Sequence, residues 1–335
     1  MAGRAVTMRD VADAAGVSRT LVSLVLNEST SVTVADETRA RILALAADLG
    51  YRPNAAARAL AHQRSDYYGV LTEIVTDPFA VDIIVGAQGE ALRHGKHILL
   101  ASAQNDPFAE RAELERLLVQ RIDGLIYGAA WHRAVEVPDL AREVPTVLVN
   151  CFDVEGRFPA IVPDEHLGGL RATERLLAAG HRRIGLVNIA DEIPAAIGRR
   201  RGYHEALRRA GIAIEEGLEA CGEAMADGGY AAAGALLDLP EPPTAIFCAN
   251  DRMAMGAYDA IKERGLKIPT DVAVIGFDNQ EVISAFLRPG LTTVALPFDK
   301  MGAMGVEILA RQSAGESTST ETVMVDCPLL ERSSV

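Results

Sequence analysis

The chain has 335 residues, 49% of them hydrophobic, and a formal net charge of −13. This length predicts two to three compact domains. The longest apolar runs, such as residues 245–249, are far shorter than the ~20 residues needed to cross a bilayer, so the composition excludes a membrane protein.

The cysteines and the amino terminus both indicate a protein of the reducing cytoplasm. No Cys-x-x-Cys pair suggests zinc or redox chemistry, and the first residues lack the apolar stretch of a secretory signal. The four cysteines are scattered at Cys151, Cys221, Cys248 and Cys327.

Charge is distributed unevenly along the chain. Residues 1–65 hold eight arginines and six acids, a net charge of +2, whereas the remainder carries −15. We expect only this mildly basic head to touch phosphates, while the acidic body discourages non-specific binding to DNA. Because the basic excess is small, the head is expected to bind DNA in pairs.

Two short helical patterns joined by a tight turn open the head. Thr7 is expected to cap the first helix, with Asp10 at the third position. Gly16 ends that helix where a left-handed residue is needed. Ser18 caps the second helix, which runs to about Asn27.

The outward side chains of the second helix are candidate base readers. In helix-turn-helix docking the first turn of the second helix enters the major groove, which favours Arg19, Thr20 and Ser23. Arg19 is the best donor to a guanine. An ordinary surface helix with an exposed arginine is the alternative at this point.

A third helix and a short fourth helix follow. The third is predicted to begin at Thr33 and to end at Gly50. Pro53 prevents its continuation, and 54–61 is too short to be a stable helix alone. Leu60 makes a poor core residue there, so we expect this helix to form against DNA with Leu60 as a minor-groove wedge.

From residue 67 the pattern changes to alternating strands and helices, which predicts parallel sheets covered on both faces. Two such series follow one another, so we expect two lobes with a cleft between them. Ligands bind such sheets beyond the carboxyl ends of the strands. The predicted strands are 68–75, 97–101, 125–128, 146–149, 161–163, 184–189, 245–249 and 272–276.

The sequence lacks the motifs of common α/β enzymes: a Gly-x-Ser-x-Gly elbow, a P-loop and a His-Glu-x-x-His pair. The glycine pairs at 86/89 and 302/305 lie within predicted helices, so they form no dinucleotide fingerprint. His94 and His97 indicate no metal site. We therefore predict no catalytic residue, cofactor or metal. A solute-binding protein or a sugar-metabolising α/β enzyme with an incidental helical module is the alternative.

Several motifs occur together in one order: DVADAAGVS and VSLVLN, then RILALAADLGYRPNAAARAL, then RRRGY, NDRMAMG and VIGFDN. In these motifs the chain resembles the lactose-repressor/galactose-repressor (LacI/GalR) family of bacterial transcription regulators, over nearly its whole length. The resemblance implies an all-α helix-turn-helix head and an α/β core like that of periplasmic binding proteins, with two doubly wound parallel-sheet lobes.

This resemblance sets the expected domain boundaries. The DNA-binding domain spans 1–53, the hinge helix and linker 54–66, and the core 67–335. Within the core, the first lobe takes about 67–162 plus 293–322, and the second takes about 163–292 plus 323–331.

The predicted DNA contacts lie in the head and in the hinge helix, where Ala57 and Leu60 fall on positions that enter the minor groove. Leu21 and Leu24 depart from the family pattern, which implies an operator distinct from well-known palindromes. The full set is Thr7, Ser18, Arg19, Thr20, Ser23, Asn27, Ala57 and Leu60.

The predicted effector contacts follow strand ends or begin helices of the core. The resemblance gives Phe79 an aromatic contact and Arg199 a place in the cleft, where a guanidinium can bind two hydroxyls or a carboxylate. For Asn150 and Asp164, simple turn formation is the alternative. The full set is Asp77, Phe79, Asn150, Asp164, Arg199, Asn250 and Asp278.

The sequence thus predicts a cytoplasmic, homodimeric transcription regulator, a repressor of a pseudo-palindromic operator in double-stranded DNA. A sugar or sugar phosphate bound between the lobes would order or disorder the hinge helix. The dimer interface is expected near residues 80–92 and 119–126. No tetramer-forming heptad follows Pro328, so a dimer is expected. The identity of the effector and the sign of control stay open.

Overall fold

The computed structural model describes residues 6–26, 33–51, 65–73, 78–104 and 106–335. The chain divides into two compact units, Met1–Ser65 and Asp66–Val335. In the described part of the chain, no helix is long and apolar enough to cross a membrane.

The first unit contains three described helices around a small apolar core. Thr7 and Asp10 form the predicted capping box: Thr7 Oγ1 accepts from Asp10 N at 3.4 Å, and Asp10 Oδ2 accepts from Thr7 N at 2.8 Å. Gly16 ends the first helix with a φ of 64°. The helices are α1 (Met8–Ala15), α2 (Arg19–Leu26) and α3 (Asp36–Asp48).

The third helix starts later than expected. The prediction that Thr33 begins it is wrong, because α3 starts at Asp36 after Ala35, which makes no side-chain cap. The acids Asp36 and Glu37 instead lie in the first turn, where they suit the helix dipole. Val11, Val22 and Ile42, at 0% exposure, join the three helices into one core.

The second unit contains two six-stranded sheets, in the orders β11-β5-β4-β3-β1-β2 and β12-β10-β9-β8-β6-β7. Every pairing is parallel except that between β10 and β12. The strands of the first sheet are β1 (Tyr67–Thr72), β2 (His97–Ser102), β3 (Gly124–Val135), β4 (Thr146–Asp153), β5 (Ala160–Pro163) and β11 (Thr322–Val325). Those of the second are β6 (Ile184–Ile189), β7 (Glu219–Gly222), β8 (Ala245–Cys248), β9 (Ala273–Asp278), β10 (Thr292–Ala295) and β12 (Leu329–Leu330).

Helices cover both faces of each sheet, so the predicted architecture of two doubly wound lobes is confirmed. Apolar clusters lie on the two faces of the first sheet and on the two faces of the second. The helices are α4 (Pro78–Arg93), α5 (Pro107–Val119), α6 (Glu165–Ala178), α7 (Pro194–Arg209), α8 (Ala226–Leu237), α9 (Asp251–Glu263), α10 (Glu281–Ser284) and α11 (Phe298–Ser313). Short 3-10 turns occupy Asp139–Glu143 and Glu216–Leu218.

The late crossings between the lobes differ from the expected boundaries. We expected 293–322 in the first lobe and 323–331 in the second. However, β10 pairs with β9 of the second sheet, and β11 pairs with β5 of the first. Each strand covers an edge that would otherwise be unpaired, which is why the chain changes lobes near Pro297 and again after Val325.

Candidate functional sites

A small cavity lies at the carboxyl ends of the core strands. Of the predicted effector residues, the structure brings together Asn150, Arg199, Asn250 and Asp278 in its lining. Asp77 and the side chain of Phe79 lie outside the described residues.

Arg199 of α7 is the central charge of this cavity, with a side chain that is 4% exposed. Its Nε donates to Glu165 Oε2 at 2.8 Å, and its Nη1 donates to the carbonyl oxygen of Ala249. Asp278 Oδ1 lies 3.4 Å from Nη1. The guanidinium carbon is 3.8 Å from the ring centroid of Phe277, so the group is stacked as well as ion-paired.

Close packing of α6 on α7 creates the Arg199–Glu165 pair. A Cβ on Gly198 would lie 2.6 Å from the Cβ of Glu165, and one on Gly202 would lie 2.3 Å from the carbonyl oxygen of His166. Because both positions lack a side chain, the first turn of α6 approaches α7 closely enough for a direct contact.

The pKa values of the two carboxyl groups beside Arg199 are shifted in opposite directions. Burial raises the pKa of Asp278 to about 7, although Arg199 opposes the change. It would also raise the pKa of Glu165, but Arg199 and His132 together outweigh burial and lower that pKa. At neutral pH, Glu165 is therefore the ionised partner of Arg199, and Asp278 lies near its midpoint.

Asn150 and Asp278 have unusual backbone conformations, with φ values of 60° and 103°. Such values are uncommon for residues other than glycine and often mark functional sites. Asn150 Nδ2 donates to the carbonyl oxygen of Ala129 at 3.0 Å. Its Oδ1 is buried and has no hydrogen-bond partner among the described residues, so it is available to a ligand donor.

Asn250 and Asp164 both act as helix caps. Asn250 Oδ1 accepts from Met253 N at 2.7 Å at the start of α9, while its Nδ2 donates to the carbonyl oxygen of Ala224. Asp164 Oδ1 accepts from Leu167 N at 2.9 Å at the start of α6. Asp164 is absent from the lining of the cavity.

Sequence reasoning missed Glu165, His132 and Trp131, which also line the cavity. Glu165 was overlooked because the apolar pattern in this region predicts a helix over residues 167–179, whereas α6 begins at Glu165. His132 and Trp131 lie on β3, which continues beyond the predicted end of that strand. His132 Nδ1 is 3.5 Å from Glu165 Oε1 and links the first lobe to the start of α6.

The described residues were also compared with the requirements of a metal site. No group of three or more His, Cys, Asp or Glu side chains in the described ranges could hold a metal ion. Cys151 and Cys248 are buried, and burial raises the pKa of both thiols.

The head presents the second candidate site. Arg19 and Thr20 are exposed in the first turn of α2, and Ser23 is half-buried. Ser18 Oγ accepts from Leu21 N at 3.1 Å, which caps the helix as predicted. Asn27, Ala57 and Leu60 lie outside the described residues.

Two family models match the chain in these regions. The model described as "Bacterial regulatory proteins, lacI family" matches residues 7–54. The model described as "Periplasmic binding protein-like domain" matches residues 173–335.

Curated relatives match almost the whole chain. The HTH-type transcriptional repressor CytR of Escherichia coli is 34% identical over 98% of this chain and 96% of its own length. The ribose operon repressor of the same organism is 33% identical over 98% and 99%.

Solved structures resemble the chain over a similar extent. The lac repressor dimer bound to operator and an anti-inducer has a TM-score of 0.83 and 29% identity, covering 99% of each chain. The complex of the regulator CelR with cellobiose has a TM-score of 0.68 and 29% identity, covering 98% of this chain and 100% of the other.

Proposed function

The chain belongs to the LacI family of bacterial regulatory proteins, and on that premise we propose that it represses transcription from a pseudo-palindromic operator until a sugar or sugar derivative binds between its lobes. Its relatives are repressors rather than enzymes, and it is a DNA-binding regulator. We place its action in the cytoplasm, where operator DNA lies.

The DNA half of the proposal uses the head and the segment 54–66. Arg19 and Thr20, exposed at the start of α2, would contact base edges in the major groove. By family resemblance, Ala57 and Leu60 would enter the minor groove at the centre of the operator. Ser23 and Asn27 would add further contacts from the same recognition helix.

Operator binding can be tested once bound duplexes have been selected from a random library. Leu60→Ser should weaken operator affinity without changing effector affinity, because it removes the apolar wedge. Leu43→Ser, at an exposed leucine of α3, is the matched control. Wild-type affinity should fall roughly 1,000-fold between 50 and 200 mM salt. Equal operator affinity of wild type and Leu60→Ser would remove the wedge assignment.

The effector part of the proposal depends on one observation: the buried Arg199 lies between the carboxyl groups of Glu165 and Asp278, at the strand ends of a two-lobed cleft. Hydroxyl groups can accept from Arg199 and donate to Asp278 or to the unpartnered Oδ1 of Asn150. The ribose repressor and the CelR–cellobiose complex carry sugar names, which supports a sugar-like effector.

The effector response is tested with Arg199→Ala and Arg200→Ala. A thermal-shift screen finds ligands first, since a compound that binds the folded chain raises its melting temperature. Arg199→Ala should then lose the effect of that compound on operator affinity. Arg200→Ala, one residue along α7 and paired with Glu192, should respond like wild type. A normal response from Arg199→Ala would contradict the assignment of the cleft.

We also propose a homodimer formed through exposed apolar residues of the first lobe. Val81, Val85 and Leu92 of α4 are 48%, 61% and 54% exposed and lie on one helical face, which we call the α4 row. Val119, at the end of α5, is 77% exposed. Such apolar surface marks an interaction site, and two heads would then contact two operator half-sites.

A further inference from the structure

We infer that the cleft takes an uncharged ligand with neighbouring hydroxyl groups and rejects the phosphorylated form of the same compound, and that Glu165 is the residue that enforces this choice. The inference rests on the proposed function, because it concerns the effector of the same cleft. It narrows that effector from sugars and sugar phosphates to uncharged compounds.

Among the described residues, the cavity is lined by two acidic side chains and one arginine, beside the titratable His132. Glu165, Asp278 and Arg199 each have side chains that are 4% exposed, so water screens none of them well. The hydrogen bonds of Arg199 within the described chain use Nε and Nη1. Its positive charge is thus already matched by Glu165 before any ligand arrives.

A second cation lies beside this site. Arg252 of α9 has its guanidinium carbon 5.8 Å from the ring centroid of Trp131, and its charge opposes the rise that burial causes in the pKa of Asp278. Arg252 does not line the cavity, so Arg199 is the arginine that a ligand there would meet among the described residues.

The lining also holds an acceptor that needs a donor from the ligand. Asn150 Oδ1 is buried without a hydrogen-bond partner among the described residues, whereas His132 Nδ1 faces Glu165 Oε1 at 3.5 Å. An amide oxygen and an ionised carboxylate only accept. Hydroxyl groups can donate to such atoms and accept from the Nη2 of Arg199.

A phosphate group lacks the two properties that this lining favours, which are hydrogen-bond donors and a neutral charge. Its dianion presents only acceptors, so a phosphate placed beside Asn150 would leave Oδ1 unpaired in a buried position. Its charge would also lie close to the ionised Glu165, and like charges in a poorly solvated site repel strongly. A neutral hydroxyl at the same place carries neither cost.

The test compares matched pairs by titration calorimetry on the full chain: ribose with ribose 5-phosphate, and adenosine with adenosine 5′-monophosphate. The two pairs separate a free sugar from a nucleoside as the source of the hydroxyl groups. At least one unphosphorylated compound should bind more than tenfold tighter than its phosphate. Glu165→Gln, which keeps an acceptor for Arg199 Nε, should shift that ratio at least tenfold toward the phosphate.

Two further variants make the result decisive. Asp278→Asn should shift the ratio in the same direction, and it provides the measurement if Glu165→Gln fails to fold. Glu192→Gln, at an exposed acid paired with Arg200, should leave the ratio unchanged.

Three outcomes would overturn the inference: a phosphate that binds wild type as tightly as its parent compound, a ratio that neither cleft variant moves, or no binding by either member of both pairs. If an uncharged compound binds preferentially but leaves operator affinity unchanged, this inference stands and the proposed regulation fails.

Discussion

Arg199 lies between two buried acids of the core, Glu165 and Asp278. The family motif predicted both Arg199 and Asp278, because each is part of a short local pattern. Glu165 was beyond prediction, since its contact with Arg199 spans 34 positions and depends on how two helices pack. Local patterns thus identify residues that carry a motif, but they do not identify a partner supplied by tertiary contact.

The raised pKa of Asp278 predicts how the unfolding free energy depends on pH. The pKa of about 7 in the folded chain exceeds the ordinary value near 4, so between these pH values the folded chain holds a proton that the unfolded chain has released. The unfolding free energy should therefore fall as pH rises through this interval, by up to about 1.4 kcal/mol per pH unit from this group. The pKa of Glu165 is lowered, so this group changes the unfolding free energy only at pH values below about its ordinary pKa.

Urea unfolding at pH 5, 6, 7 and 8 checks this at one protein concentration. Asp278→Asn cannot titrate, so it should become more stable relative to wild type as pH rises from 5 to 7, and the difference should level off above pH 8. Asp191→Asn, at an exposed acid, is the control. Parallel pH curves for wild type and Asp278→Asn would contradict the expectation.

At the scale of elements, most helices and strands of the core were predictable because their apolar patterns are long. Short β7, β10, β11 and β12 were not predicted, since strands of two to four residues without a strong apolar run carry too little pattern. The start of α3 was misplaced because Thr33 resembles a helix cap, yet the helix begins without one.

The contact of α6 with α7 predicts the effect of filling a glycine. Gly198→Ala would place a methyl group 2.6 Å from the Cβ of Glu165, so the two helices must separate. We expect a loss of about 1–3 kcal/mol in unfolding free energy and weaker effector binding, because Arg199 and Glu165 move apart. Calorimetry and urea unfolding measure both effects.

Gly217→Ala is the control for this experiment. A Cβ at Gly217 meets nothing within 4 Å, so its unfolding free energy should stay within about 0.5 kcal/mol of wild type. Wild-type effector affinity in Gly198→Ala would show that helix spacing does not set the cleft.

For the whole molecule, the two lobes share one chain that passes between them more than once. After β5 the chain enters the second lobe, returns near Pro297, and leaves again between β11 and β12. The predicted lobe boundaries included these crossings but misplaced them by several residues, because neither β10 nor β11 was predicted as a strand and the sheet that each completes was therefore unknown. The family resemblance supplied the architecture, and strand pairing set its boundaries.

The proposed dimer gives a prediction at this scale. Val85→Glu places a charge in the α4 row and should produce monomers in sedimentation experiments, because burying an unpaired charge is costly. Operator affinity should fall by about 100-fold or more, since the second head no longer binds as part of the same molecule.

Val154→Glu is the matched control, because Val154 is 59% exposed and lies outside the α4 row. It should remain dimeric and bind operator normally. A dimeric Val85→Glu would move the interface elsewhere.

The late strands also bear on how the protein is made. Ribosomes deliver β5 long before β11, which pairs with it, and β12 follows later still to pair with β10. During synthesis both lobes therefore keep an unpaired strand edge, the kind of surface on which chains aggregate. Complete sheets form only after residues 322–330 have been translated, so a chain halted before them would carry a DNA-binding head on an unfinished core.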